Sequence, residues 1–144
     1  MTQTPGVTPL AARREQGWAH FAGDEVADVL VTALAVGGVE HLFFTSGSDI
    51  LFFQEAVAKA QATGRPTPDI VTTMHETIAM NAALGNTMVT GRPAATAVHV
   101  DVGTLNYGCA LHTAFAGSYP VFMISGSPAK AYPGTHKGGR DHPI

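Results

Sequence analysis

A chain of 144 residues with 45% hydrophobic content is the size of one ordinary domain with a real core, and it leaves no room for a second complete domain. Eight Lys and Arg against eleven Asp and Glu give a formal charge of -3, with no basic stripe and no interleaving of basic and aromatic residues, which argues against a nucleic-acid partner. Cys109 is alone, which excludes an internal disulfide and points to a reducing, cytoplasmic setting, and no apolar run has the form of a signal peptide or the length of a membrane span.

Residues 1–22 read as a polar, mobile leader carrying Pro5, Pro9, Arg13 and Arg14. Val26, Val29, Leu30, Ala33 and Leu34 then recur at helical spacing and stop at Gly37 and Gly38, which suit a helix C-terminus. Residues 39–45 form a short apolar run that ends in Thr45, Ser46, Gly47 and Ser48, the pattern of a buried strand leaving the core through a tight loop. A helix follows with Phe53, Ala56, Val57 and Ala60 on one face.

Turn formers at 63–68 separate that helix from a second buried strand at 69–74, and His75 opens another helix. Its stripe of Ile78, Ala82 and Gly85 is small enough to approach a sheet closely, and residues 91–93 end it. A third strand is expected at 94–100, a crossover helix at 103–116 with Cys109 as a small buried residue, and a fourth strand at 120–125. From 128 to 144 the pattern dissolves into Gly, Pro, Lys, His and Arg, a loop leading toward a remainder that this chain lacks.

Strands that alternate with helices and are apolar on both faces imply a mostly parallel, doubly wound α/β sheet with helices on both sides, here residues 23–127. Ligands of such sheets gather at the C-terminal ends of the strands. The informative positions are therefore 46–49, His75 with Glu76, 99–106, and Gly126 onward.

Glu76 sits where an apolar strand turns into a helix, so it is either a charge favoured by the helix dipole or a functional acid in a dry pocket. Ser48 is an N-cap for the following helix or a contact for a ligand, and Asn106 has the same two readings. His99 is a satisfied structural group at a strand end or a proton carrier working near neutral pH. Seven histidines raise the question of a metal, but none has a second histidine at ligand spacing, and no metal ligand is assigned. His136 and His142 fall in the terminal loop, and there is no GxGxxG or P-loop motif.

The order of these segments resembles the pyrimidine-binding domain of thiamine diphosphate enzymes related to acetolactate synthase, benzoylformate decarboxylase and pyruvate decarboxylase, over roughly residues 24–126. The parts that carry the resemblance are Val39-Glu40-His41-Leu42-Phe43-Phe44 before Ser46-Gly47-Ser48, His75-Glu76 opening a helix that ends Thr90-Gly91-Arg92-Pro93, then Val102-Gly103-Thr104-Leu105-Asn106, and last Pro120-Val121-Phe122-Met123-Ile124-Ser125-Gly126. Five such parts in order and spacing make the signal specific.

The resemblance implies that Glu76 hydrogen-bonds the ring nitrogen N1′ of thiamine diphosphate and activates the cofactor by sharing a proton with it. It places Ser46, Gly47 and Asn106 beside the pyrimidine, with Gly47 allowing close backbone approach, and gives Ser48 and His99 substrate-handling, catalytic roles. Ser46 departs from the proline that relatives carry there. The family grips the diphosphate through Mg2+ with a Gly-Asp-Gly segment on another domain, and this chain has no such segment. The expectation is a lyase, carboligase or decarboxylase acting on a 2-oxo acid or 2-hydroxyacyl substrate, inactive as this chain alone. It would be completed in a dimer or tetramer, homo- or hetero-oligomeric, by the chain or domain that binds the diphosphate, with an apolar surface left where that part docks. The alternative is a non-catalytic α/β module of the same fold that binds a small ligand or regulates.

Overall fold

The computed structural model describes Phe21 and residues 23–126, so the segment read as leader, apart from Phe21, and the terminal loop, His136 and His142 included, lie outside the described residues. Four strands, β1 (His41–Phe44), β2 (Asp69–Thr72), β3 (Ala94–Val98) and β4 (Val121–Ser125), form one sheet in the order β2-β1-β3-β4. Every pairing is parallel, with Leu42 opposite both Ile70 and Ala95 and Thr96 opposite Met123. The doubly wound α/β architecture expected from the alternation is the one observed.

Alternation along the strands divides the core between the two faces of the sheet. Leu42 and Phe44 of β1 and Ala95 and Ala97 of β3 point to the side covered by α1 (Val26–Val36) and α2 (Leu51–Ala62), where Val31, Leu34, Phe53, Ala56, Val57 and Ala60 meet them. Phe43, Ala94 and Val98 point the other way, against Ala79, Met80, Ala83 and Leu84 of α3 (Glu76–Thr90) and Ala110 and Ala114 of α5 (Gly108–Ala116). The α2 face is the one its spacing predicts. β3, Ala-Ala-Thr-Ala-Val, is buried along its whole length, and its small side chains let helices approach from both sides.

Several expectations are corrected by packing. β2 is an edge strand with Asp69, Val71 and Thr72 exposed, because it has a neighbour on one side only. The buried face of α1 is Ala27, Asp28, Val31 and Leu34, while Val26 is 84% exposed. That helix is apolar nearly all round, so periodicity alone could not choose its inward face. In α3 the inward residues are Ala79, Met80, Ala83, Leu84 and Thr87, and Ile78 faces outward. The small-residue contact rests on Ala79 and Ala83, with Ala82 packed at its edge, while Gly85 takes no part.

The helix expected at 103–116 is two helices, α4 (Val100–Leu105) and α5, interrupted at Asn106 and Tyr107. The break has a polar cause: the Tyr107 hydroxyl is drawn into the core to share a hydrogen bond with Thr96. Cys109 on α5 is exposed rather than buried.

The inward Asp28 explains the rotation of α1. Its carboxylate is 2% exposed and accepts from Lys59 Nζ of α2 at 2.7 Å, with Arg65 3.6 Å away. Lys59 also reaches Asp24 at 2.9 Å. The hydrogen bond from Lys59 first, then the positive charges of Lys59 and Arg65, hold the Asp28 carboxyl below its ordinary value of 3.8 against the opposing effect of burial.

Two outcomes follow from this packing. Phe44→Ala, which removes a fully buried ring, lowers unfolding free energy by about 3–5 kcal/mol with an unchanged denaturant slope in urea titrations. Because the folded-state value of Asp28 is depressed, its contribution is present in full above the unfolded value of 3.8 and lost as pH falls from there through the lowered folded value. Asp28→Asn therefore unfolds at lower urea at neutral pH and shows a shallower loss of stability in acid. Equal acid limbs for the two proteins would count against the ion pair.

Candidate functional site

The loops at the C-terminal ends of the strands carry the polar residues. β1 leaves through Thr45, whose N–H donates to Ala97 O of β3 at 3.2 Å, and β2 leaves through Thr73, whose N–H donates to Phe44 O at 2.9 Å. The hydroxyls of Thr45 and Thr73 meet at 2.9 Å and tie the two exits together. His75 then caps α3, its Nδ1 accepting the Thr77 N–H at 3.1 Å, and delivers Glu76 into the first turn, where the helix dipole favours a negative charge.

The Glu76 side chain is 16% exposed. The Asn106 amide donates from Nδ2 to Glu76 Oε2 at 2.9 Å, the only orientation a carboxylate can accept, and His75 Nε2 lies 3.8 Å from the same oxygen. Asn106 is itself held through its main chain, since the Thr77 hydroxyl donates to its carbonyl at 2.7 Å. Asn106 stands at the C-terminal end of α4, so it works as a partner of Glu76 and not as an N-cap.

Gly103 favours this contact. A Cβ placed there would lie 3.1 Å from Val98 Cβ, a tight contact, and 3.4 Å from Glu76 Cγ, so the bare glycine eases the close approach of α4 to β3 beside the glutamate. Oε1 of Glu76 lies on the same side, 3.5 Å from where that Cβ would be, and has no hydrogen-bond partner among the described residues. Tyr107, buried below, feels the same carboxylate. Burial first, and the Glu76 charge in addition, push its phenol up to about 12 against the lowering effect of the Thr96 hydrogen bond, so it stays neutral at ordinary pH.

A second group assembles where β1, β3 and β4 end. His99 follows β3, and its Nδ1 hydrogen-bonds Asp49 Oδ1 from the loop after β1. The other carboxylate oxygen accepts the Val100 N–H at 3.1 Å. Gly47 lies under the imidazole, where a Cβ would come within 2.6 Å of His99 Cγ, and Gly126 lies against the carboxylate, where a Cβ would be 2.5 Å from Asp49 Cγ. Val100 carries a φ of 26°, a sparsely populated conformation for a β-branched residue that costs on the order of 1–3 kcal/mol, and the Asp49 contact to its N–H helps to hold it. The two groups are linked through α4: the Gly103 N–H donates to His99 O at 3.1 Å.

Glu76 and Asn106 are thus brought together, as are Gly47 and His99. Gly47 also seats the imidazole, since a Cβ there would meet the His99 ring. Ser46 and Ser48 are exposed on the loop that carries Asp49, and neither hydroxyl has a hydrogen-bond partner among the described residues. Ser48 does not cap α2, whose cap position is Ile50.

The residues that sequence reasoning missed are Asp49, Gly103, Thr77 and Tyr107. Gly103 stood within a quoted motif with no role attached, and Asp49 followed a flagged serine. Nothing local marked either as the neighbour of a histidine or a glutamate fifty and twenty-seven positions away. No helix among the described residues is long and apolar enough to cross a membrane, and no group of three or more His, Cys, Asp or Glu among them offers a metal site.

Residues 24–142 match the family described as thiamine pyrophosphate enzyme, N-terminal TPP binding domain. Among solved structures the chain is similar to the thiamine diphosphate-dependent 4-hydroxybenzoylformate decarboxylase of Rhodococcus jostii RHA1, with 22% identity and a TM-score of 0.60 over 74% of this chain and 19% of that one. It is also similar to an enzyme from Mycobacterium smegmatis described as thiamin diphosphate-dependent, with 21% identity and a TM-score of 0.59 over the same shares, 74% and 19%. The chain therefore spans about a fifth of the length of these proteins, and at such identities the likeness shows the fold. No curated protein sequence matches. A parallel sheet whose strand ends gather a covered glutamate, an asparagine and a histidine, together with a family match over residues 24–142, establishes that this chain belongs to the thiamine pyrophosphate enzymes as an N-terminal TPP binding domain.

Proposed function

We propose that this chain is the pyrimidine-binding, cofactor-activating part of a thiamine diphosphate-dependent lyase, carboligase or decarboxylase acting on a 2-oxo acid or 2-hydroxyacyl substrate in the cytoplasm. The observation that carries the proposal is Glu76: a largely covered carboxylate, fixed on one oxygen by Asn106, with the other oxygen unpartnered among the described residues. A nitrogen heterocycle that can be protonated is the natural complement of such an oxygen. The donor set fits the aminopyrimidine of thiamine diphosphate. When bound, the cofactor supplies a carbon nucleophile able to add to a carbonyl group.

This chain's residues do the proton work and the positioning. Glu76 holds the proton shared with N1′, and Asn106 keeps the carboxylate aimed. His99 exchanges a proton with substrate, and Ser48 orients a substrate carboxylate or carbonyl from the exposed loop, with Ser46 and Gly47 lining the pyrimidine side. The Rhodococcus decarboxylase, named for 4-hydroxybenzoylformate, lends support to the 2-oxo acid class. Mg2+ and the diphosphate belong to a partner chain or domain. Met74, Ile78, Val102 and Leu105, which flank Glu76, Gly103 and Asn106 along the chain, are exposed apolar side chains suited to that contact in a dimer or tetramer.

The decisive experiment pairs this chain with a diphosphate-gripping partner and compares wild type with Glu76→Gln. Turnover falls by about 10²–10⁴-fold, the range for loss of a general acid-base group. Undiminished turnover would refute the assignment, and thiamine diphosphate binding by an inactive wild-type assembly would favour a non-catalytic module of the same fold. A second readout needs no cofactor. Because the Glu76 charge helps to raise the Tyr107 phenol, Glu76→Gln shifts the alkaline titration of Tyr107 below its parent value of about 12, followed by phenolate absorbance.

A further inference from the structure

The geometry points to Asp49 as a positioning residue for His99, one that fixes the imidazole as the Nδ1–H tautomer and leaves Nε2 as the proton-accepting atom presented to substrate. This inference rests on the proposed role of His99. Its physical basis is the contact itself: an ionised carboxylate only accepts, so the ring nitrogen facing Asp49 Oδ1 must carry the hydrogen. Nε2 then holds the lone pair, and it has no partner among the described residues.

The pair is built from three strand ends and is hard to read as a chance surface contact. The Asp49 side chain is 14% exposed against 39% for His99, so the carboxylate is the covered member and the imidazole the one that faces outward. Its second oxygen is occupied by the Val100 N–H at 3.1 Å, which stops the carboxylate from rotating away. Gly47 and Gly126 close on opposite partners, with a Cβ at either position falling 2.6 Å from His99 Cγ or 2.5 Å from Asp49 Cγ. Side chains at those positions would break the contact. A free imidazole in water prefers the proton on Nε2, which would leave Nδ1, hidden against the loop, as the base. Pairing with Asp49 reverses that preference and turns the basic atom outward. The same logic orients imidazoles wherever a carboxylate backs a working histidine.

The test reads the ring directly, by 15N chemical shifts of His99 in the whole chain at pH about 8.5, above the ordinary imidazole range. The expected result is a pyrrole-type Nδ1 and a pyridine-type Nε2 in wild type, exchanged in Asp49→Ala. A pyridine-type Nδ1 in wild type overturns the proposal, and so does an unaltered tautomer in a folded Asp49→Ala. If that variant does not fold, the wild-type shifts alone decide. In the assembled enzyme Asp49→Ala lowers kcat by about 10–100-fold with little change in KM, as loss of an orienting partner does. The tautomer upholds the pair whether or not the assembly turns over, whereas an inactive assembly bearing the expected tautomer counts against the proposed function alone.

Discussion

Glu76 leaves bulk water with most of its side chain covered, and its charge has to be matched by donors that the fold delivers from elsewhere in the chain. Asn106 is that donor, thirty residues on. It arrives because α4 ends at Asn106, with Gly103 easing the approach of α4 and Thr77 anchoring the Asn106 carbonyl. The break between α4 and α5 is therefore a condition of the site, and the buried Tyr107–Thr96 hydrogen bond is what fixes where it falls.

The sheet makes this delivery possible. Parallel strands send all their exits to one end, and the hydrogen bonds from Thr45 to Ala97 and from Thr73 to Phe44 keep those exits in register. β3 occupies the centre with four small residues and a valine, so helices from both faces pack close and the loops they follow converge. Rigidity of the scaffold and proximity of the polar groups have the same cause. Val100 shows the consequence, since a β-branched residue keeps an unfavourable φ of 26° where the β3 exit bends into α4.

The site formed this way is one-sided. A carboxylate, an amide, an imidazole and two exposed serines suit an uncharged heterocycle and a carbonyl substrate, but they offer little to a diphosphate. This chain spans about a fifth of the length of the solved proteins that share its fold. Met74, Ile78, Val102 and Leu105, near Glu76, Gly103 and Asn106 along the chain, are exposed apolar side chains.

Strand order, the inward face of α2 and the gathering of polar residues, Glu76, His99 and Asn106 among them, at the strand ends were legible in the sequence. They depend on local periodicity, on turn chemistry and on motifs read in order. The inward faces of α1 and α3, the exposure of β2 and the split of the last crossover helix were not. Those were decided by contacts between distant residues: Asp28 with Lys59, a strand left without a second neighbour, Tyr107 with Thr96. The pairing of Asp49 with His99 belongs with them, because fifty residues of chain separate two side chains that only the parallel register of β1 and β3 brings within reach. Sequence determined which chemical groups stand at the mouth of the sheet. Tertiary structure alone decided which of them touch, since a hydrogen bond depends on ångström-scale placement that no local pattern encodes.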